Sequence, residues 1–227
     1  MTVYAPDMPG AGFSDSSPDM DCSLESSAKR LLRFMDALQI EECDLLGSSH
    51  GGAVAMMATA LEPKRVRRMI LAAPVNPWSD HGKFLTAFLS SALVAPSFLG
   101  LAPQLRILHE FYFRRMFGDP RRIRPGTLDG YMKPLLRREP FQYAMKVIRS
   151  WNQDLRKLRS ILPRVANIPV LLIWGSLDTA VNPSSSGVLR RQFHTCKFVM
   201  MEGVGHLPYE EVPDDFNRAV AEFLLGR

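Results

Sequence analysis

Three polar side chains of the types that together perform nucleophilic catalysis follow three short apolar stretches of the sequence. Ser49 is the middle residue of GSSHG at 47–51, Asp178 ends the stretch WGSLD, and His206 ends GVGH. A serine hydroxyl is a weak nucleophile that needs a base, and an imidazole base needs a carboxylate to orient it. These residue types therefore predict acyl transfer, with Ser49 as nucleophile, His206 as base and Asp178 as the orienting acid.

The GSSHG stretch fits the pattern G-x-S-x-G, in which a strand turns sharply into a helix. Such a turn would hold Ser49 in a strained backbone conformation, with its side chain above the sheet and helix N–H groups nearby. Ser48 is then a neighbour without a catalytic role. The backbone N–H of His50, rather than its imidazole, is expected to contribute to an oxyanion hole. The flanking glycines would leave room for the crossing of strand and helix, and Gly52 would let the helix pack closely.

Other interpretations of the acidic and basic residues stay open. Asp178 is also of the type that forms an Asx turn after a strand, and His206 could be an ordinary hydrogen-bonded loop histidine. Asp7 is better explained as a turn-forming residue than as a catalyst. Asn76 and Asp80 follow the third predicted strand and offer a less favoured position for the acid.

The stretches that must position these residues alternate between strands and helices. The predicted strands are Val3–Ala5, Cys43–Leu46, Met69–Ala72, Val170–Trp174 and Phe198–Met201. The predicted helices are 23–38, 50–61, 184–193 and 214–225. Strands that are apolar on both faces and alternate with helices predict an α/β fold with a parallel sheet covered by helices. The three candidate residues each follow the carboxyl end of a strand, where such sheets bind their ligands.

Four motifs resemble those of the α/β-hydrolase superfamily, in the serine-nucleophile branch with a helical cap inserted after strand 6. They are DMPGAGFSD at 7–15, GSSHGG, WGSLDTAVNP and GHLPYEEVP. The resemblance implies an α/β-hydrolase fold with a mostly parallel sheet, a core of residues 1–77 and 166–227, and a helical cap, or lid, at 78–165. It also implies a triad in the order serine, aspartate, histidine, with no cofactor and no metal. A serine at position 49 points away from the relatives that use an aspartate there.

The start of the chain departs from the family pattern. The resemblance implies that the predicted strand 3–5 corresponds to strand 4 of eight, so that strands 1–3 and the loop after strand 3 are absent. The expected sheet order is then (4)-5-6-7-8, and the strand at 3–5 must pair with the strand at 43–46, leave a gap or detach. The lost loop would carry the second oxyanion donor, which leaves only the N–H of His50. We therefore expect a fragment, or a misassigned start, of a longer hydrolase.

The predicted cap differs in charge from the rest of the chain. Residues 78–165 hold 16 Lys and Arg and 6 Asp and Glu, a net charge of +10, whereas the remainder holds 12 and 17, a net charge of −5. A basic face can attract nucleic acid or an anionic membrane, but a solvated helical face explains the charge more simply. No nucleic-acid partner is expected, because no zinc-finger or RNA-binding signature accompanies the charge.

Residues 84–105 carry no charged side chain and are long enough to be tested as a membrane span. Prolines, serines and a glycine interrupt the stretch, which favours an apolar lid helix. Membrane-surface contact through the cap remains the minor alternative. The cap aromatics are expected to form an apolar pocket for a small hydrophobic acyl or ester substrate. They are Phe84, Phe88, Phe98, Phe111, Tyr112, Phe113 and Phe117.

Cysteine usage bears on the compartment. The three cysteines are widely separated and odd in number, which favours a reducing, cytoplasmic location over a disulfide framework. The five histidines have no metal-ligand spacing. The oligomeric state is not fixed by the sequence.

The favoured activity is hydrolysis of carboxylic esters or related acyl substrates. Relatives with the same triad cleave C–C, lactone or iminopeptide bonds or transfer acyl groups, and the fold does not choose among them. An impaired fragment or a ligand-binding protein without turnover is the alternative from a different class.

Overall fold

The computed structural model describes residues 2–17, 19–79 and 101–226. Its strands are β1 Cys43–Ser48, β2 Val66–Ala72, β3 Val170–Gly175 and β4 Cys196–Met201. Its α-helices are α1 Leu24–Ala37, α2 His50–Leu61, α3 Arg106–Arg114, α4 Thr127–Met132, α5 Glu139–Ile161, α6 Ser186–Arg190, α7 Pro208–Glu211 and α8 Pro213–Leu224. Short 3₁₀ turns lie at Pro63–Arg65, Ala102–Gln104, Pro120–Arg122, Pro134–Leu136, Leu162–Val165 and Pro183–Ser185.

The four strands form one parallel sheet in the order β1-β2-β3-β4. Every residue of β3 is buried, because its alternate side chains enter two separate apolar cores. Val170, Leu172 and Trp174 pack with α1, α2 and α5, whereas Leu171 and Ile173 pack with α8 on the opposite face. The predicted α/β fold, the parallel sheet and the predicted order of its last four strands are therefore confirmed.

The predicted strand at Val3–Ala5 is wrong. This segment has no regular secondary structure and lies outside the sheet, Val3 is 73% exposed, and the Tyr4 ring contacts Phe34 at 6.3 Å between centroids. Three residues before a proline gain too few ladder hydrogen bonds to offset the entropy of ordering their backbone. Of the three outcomes expected for this segment, detachment from the sheet is the one observed.

A segment that is largely helical from residue 101 onward separates β2 from β3 in the chain. Its last helix, α5, runs for 23 residues and buries Leu158 and Ile161 against the core of α1 and α2. Burial also raises the pKa of Asp154, whose carboxylate accepts a hydrogen bond from the Ser150 hydroxyl at 2.6 Å. Residues 80–100, including the proposed pocket residues Phe84, Phe88 and Phe98, lie outside the described residues.

Two further expectations concern helices. The helix predicted at 184–193 is shorter, because a 3₁₀ turn at Pro183–Ser185 precedes α6 and the chain leaves the helix after Arg190. Within the described ranges, no helix combines the length and the apolar character that crossing a membrane requires.

Candidate active site

Ser49 occupies the sharp turn between β1 and α2. Its backbone has φ +51° and ψ −121°, a conformation that is strained for a residue with a side chain. Two hydrogen bonds hold it there: the Ser49 N–H donates to the Ala72 carbonyl at 3.0 Å, and its carbonyl accepts from the Val75 N–H at 2.9 Å. The end of β2 therefore fixes the strained turn in place.

The glycines around this turn have different roles. A Cβ at Gly47 would overlap the backbone of Gly51, and a Cβ at Gly52 would meet the Pro74 Cβ at 2.5 Å. Both positions need glycine because strand and helix cross there at close range. A Cβ at Gly51 would meet no described heavy atom within 4 Å, so crowding does not explain that glycine.

Asp178 and His206 form a buried pair. The Asp178 Oδ2 lies 2.8 Å from the His206 Nδ1, and both residues are about 4% exposed. The other carboxylate oxygen, Oδ1, accepts from the N–H groups of Ala180 at 2.8 Å and Val181 at 2.9 Å. Asp178 therefore forms an Asx turn through one carboxylate oxygen and contacts the His206 ring through the other.

Backbone hydrogen bonds join the loops that carry this pair. The Leu177 N–H donates to the Val204 carbonyl at 2.9 Å. This bond connects the acid loop, residues 176–182 after β3, to the histidine loop, residues 202–207 after β4. The His206 N–H donates to the Met116 carbonyl at 2.6 Å, and the Thr179 hydroxyl donates to the Arg115 carbonyl at 3.2 Å. The segment between β2 and β3 thus contacts both loops of the candidate site.

His50 begins α2 directly after Ser49. Burial lowers the pKa of its imidazole to about 4, so the ring is neutral near pH 7. The ring makes an edge contact with Tyr143 of α5, with centroids 6.5 Å apart and an interplanar angle of 84°. As the first residue of the helix, its N–H lies outside the intrahelical hydrogen-bond ladder.

Ser49 is not hydrogen-bonded to His206 among the described residues, although β1, β3 and β4 bring both to the same edge of the sheet. Catalytic hydrogen bonds are often long in unliganded enzymes and tighten when substrate binds. The neighbouring Ser48 has a buried hydroxyl.

The remaining candidate acids have other roles or positions. Asn76 is fully buried, and its amide nitrogen donates to the Pro74 carbonyl and the Ser185 hydroxyl, which makes it a structural residue. Asp7 forms a turn, as expected, by accepting the Phe13 N–H at 3.0 Å. Asp80 lies outside the described residues.

The cap aromatics are divided between the interior and the surface. Phe113 and Phe117 are buried in a cluster with Met132 and Leu207, the residue that follows His206. Phe111 and Tyr112 are more than half exposed. The described aromatics therefore do not share one pocket: two of them support the histidine loop instead.

Metal binding has no candidate in the described ranges. No group of three or more His, Cys, Asp or Glu side chains lies close enough together there to hold an ion.

Sequence reasoning did not single out Glu211, whose buried carboxylate lies next to the histidine loop. The only signal for it was the pair of acids in PYEEVP.

Comparison with known proteins agrees with this architecture. The family described as "alpha/beta hydrolase fold" matches residues 1–213. A 2-hydroxy-6-oxo-2,4-heptadienoate hydrolase of Pseudomonas putida is 26% identical over 99% of this chain and 78% of its own length. The dihydrolipoyllysine-residue acetyltransferase component of an acetoin cleaving system, also of Pseudomonas putida, is 26% identical over 98% of this chain and 56% of its own length.

A solved structure gives the same result for the fold. The thermophilic esterase of Thermogutta terrifontis superposes with a TM-score of 0.79 and 22% identity, covering 97% of this chain and 78% of that one. The parallel sheet, the strained turn after β1 and the match over 213 of 227 residues converge on one conclusion. The chain therefore belongs to the α/β-hydrolase fold family.

Proposed function

We propose that the protein is a serine hydrolase that acts on carboxylic esters or related acyl substrates through Ser49, His206 and Asp178. The observation that carries this proposal is the buried Asp178–His206 hydrogen bond at the sheet edge where the strained Ser49 turn lies. A buried carboxylate on Nδ1 leaves Nε2 of the imidazole to act as a base.

The reaction has two halves. Ser49 Oγ attacks the acyl carbon while its proton passes to Nε2 of His206, and that proton then goes to the departing alcohol. Water next attacks the acyl-serine ester and gives its proton to the same nitrogen, which returns it to Ser49 as the acid leaves. Asp178 stabilises the imidazolium that forms in each half.

The developing oxyanion needs hydrogen-bond donors. The N–H of His50 is the proposed donor, since it follows the nucleophile and belongs to the N-terminus of a 12-residue helix. The depressed pKa of the His50 imidazole keeps that ring uncharged near neutral pH. A neutral His50 ring would carry no extra proton, so protonated His206 would be the acid that donates a proton to the departing alcohol.

The segment at 78–165, which is largely helical from residue 101 onward, is the proposed cap over the site. Support comes from its contacts with the acid and histidine loops and from the Tyr143 ring on His50. A small hydrophobic ester is the proposed substrate, and the chemistry requires no cofactor. Three free cysteines support a cytoplasmic location.

A second candidate activity rests on the relatives. Because the chain is 26% identical to a 2-hydroxy-6-oxo-2,4-heptadienoate hydrolase, 2-hydroxy-6-oxo-2,4-heptadienoate should be tested as a substrate beside simple esters. The acetyltransferase relative favours a test of acyl transfer to added alcohols or thiols. Binding without turnover is the competing outcome.

The test is hydrolysis of a p-nitrophenyl ester series by the wild type, Ser49→Ala and the matched control Ser48→Ala. Removing the nucleophile is expected to lower kcat by roughly 10⁴-fold or more, since only binding and the oxyanion donors would remain. Ser48→Ala is expected to retain activity. An active Ser49→Ala variant would contradict the assignment, and an inactive wild type that still binds ligand would favour the binding protein.

A further inference from the structure

Glu211 ends α7 five residues after His206, and its side chain is completely buried. Its Oε2 accepts the N–H groups of Gly205 at 2.8 Å and Gly118 at 2.9 Å. Its Oε1 accepts the Asp119 N–H at 2.9 Å and Nη1 of Arg122 at 3.2 Å. Four donors therefore converge on one buried carboxylate, which offsets the cost of removing its charge from water.

Two of these donors belong to opposite sides of one contact. Gly205 precedes His206 in the histidine loop, whereas Gly118 belongs to the segment between β2 and β3. A Cβ on Gly205 would overlap the Met116 carbonyl, and one on Gly118 would overlap the Gly203 carbonyl. The two backbones thus touch directly, and the Glu211 carboxylate bridges them.

This bridge lies next to the base. The Gly205 N–H bonds to Glu211, and the His206 N–H bonds to the Met116 carbonyl at 2.6 Å. Glu211 therefore fixes the Gly205 N–H directly. It fixes the His206 N–H indirectly, because that group bonds to the 116–122 segment, which Glu211 joins to the histidine loop. The orientation of the imidazole toward Ser49 depends on this backbone, because Asp178 fixes only the Nδ1 side of the ring.

We propose that Glu211 is a positioning residue that sets His206 for proton transfer by locking the histidine loop to the 116–122 segment. This inference rests on the proposed hydrolase function. This positioning role requires a carboxylate, in which each of the two oxygens accepts two N–H donors. In a Glu211→Gln variant the amide nitrogen would face one of these two pairs and leave that pair without an acceptor. An unpaired buried donor is costly, so the loop would shift to find other partners.

The test compares Glu211→Gln with the matched control Glu210→Gln, which removes the same charge one residue away. Glu210 accepts the Tyr131 hydroxyl at 3.0 Å, a bond that a glutamine oxygen can also accept. The readouts are kcat and KM for an ester, the rate of covalent labelling of Ser49 by a fluorophosphonate, and the thermal unfolding transition.

Glu211→Gln is expected to slow labelling and lower kcat by about tenfold or more while KM changes by less than about threefold. These values are measured well below the unfolding temperature, and Glu210→Gln is expected to match the wild type. A purely stabilising role would lower the unfolding temperature and leave kcat and the labelling rate of the folded enzyme unchanged, which would overturn the proposal.

A second variant covers the case in which Glu211→Gln does not fold. Glu211→Asp keeps the charge but is one methylene too short to reach all four donors, so labelling should slow by about threefold or more. Wild-type rates in this variant would contradict the positioning role. A wild type that neither hydrolyses esters nor reacts with the fluorophosphonate contradicts the proposed function itself, whereas a reactive wild type with unaffected variants contradicts only the role of Glu211.

Discussion

The glycines beside Ser49 make a matched pair for testing the turn. Gly47→Ala is expected to destabilise the protein by a few kcal/mol and to reduce activity, because its Cβ would overlap the Gly51 backbone. Gly51→Ala should fold at least as well as the wild type, since its Cβ would meet no described atom and alanine is the better helix former. Urea unfolding and ester hydrolysis of both variants provide the measurement. Equal loss of stability in the two would contradict the crowding argument.

His50 makes stability depend on pH. Its folded pKa of about 4 lies below the unfolded value of about 6.5, so the unfolded chain binds more protons between these values. The contribution is present in full above about pH 6.5 and is lost as the pH falls toward 4, by at most on the order of 3 kcal/mol. Urea unfolding should show the wild type losing stability relative to His50→Gln over this range as the pH decreases. Parallel pH curves would show that His50 does not titrate this way.

The candidate site residues differ in how far the sequence predicts them. Ser49, Asp178 and His206 each follow an apolar strand within a short motif, so local sequence places them at one sheet edge. Glu211 has no such signal, because its donors at Gly118 and Asp119 lie more than 90 positions away in the chain. Gly51 fits the motif, yet no described residue would crowd a Cβ at that position.

At the scale of elements, the buried parts of the fold were the predictable ones. The predicted strands at 43–46, 69–72, 170–174 and 198–201 are present, each extended by one to three residues. Helix α1 begins after Ser23, close to its predicted start, and the Ser23 hydroxyl caps it by accepting the Ser26 N–H. These elements are specified locally, by apolar runs and capping side chains.

The predictions that failed depend on tertiary partners. The segment Val3–Ala5 has strand-forming residues but no neighbouring strand to pair with among the described residues, so it stays outside the sheet. The helix predicted at 184–193 ends early because residues beyond Arg190 turn back toward β4. The Phe193 N–H donates to the Arg190 carbonyl at 3.3 Å in that turn. Local strand and helix propensities do not include tertiary contacts, so they could not predict these two outcomes.

At the scale of the whole molecule, the relation between the inserted segment and the sheet could not be read from the sequence. The contact between residues 116–119 and 203–206 has no periodic or charge signal, and it depends on two glycines, Gly118 and Gly205, that approach opposing backbone. The charge composition distinguishes residues 78–165 from the rest of the chain, but it does not predict how this segment packs against the histidine loop. The tight contact makes this part of the segment a fixed support for the histidine loop.

Strand β1 is the outermost strand of the sheet, and its unpaired side predicts self-association of the 227-residue chain. Among the described residues β1 pairs only with β2, so its outer N–H and C=O groups face away from the sheet, and Leu46 is 52% exposed. Val3, Tyr4 and Phe13 add apolar surface elsewhere in the molecule. An unpaired edge strand with exposed apolar side chains is a template for pairing with a second copy. Sedimentation velocity should therefore show a weight-average mass that rises with protein concentration.

A charge on this edge should weaken that association, because pairing two copies would bury it. Leu46→Lys is expected to lower the concentration dependence of the mass, whereas Leu38→Lys adds the same charge after α1, at a site 41% exposed, and should leave it unchanged. Circular dichroism of both variants checks that the fold is retained. A wild type that remains a monomer at all concentrations, or an equal effect of the two substitutions, would show that the β1 edge does not mediate association.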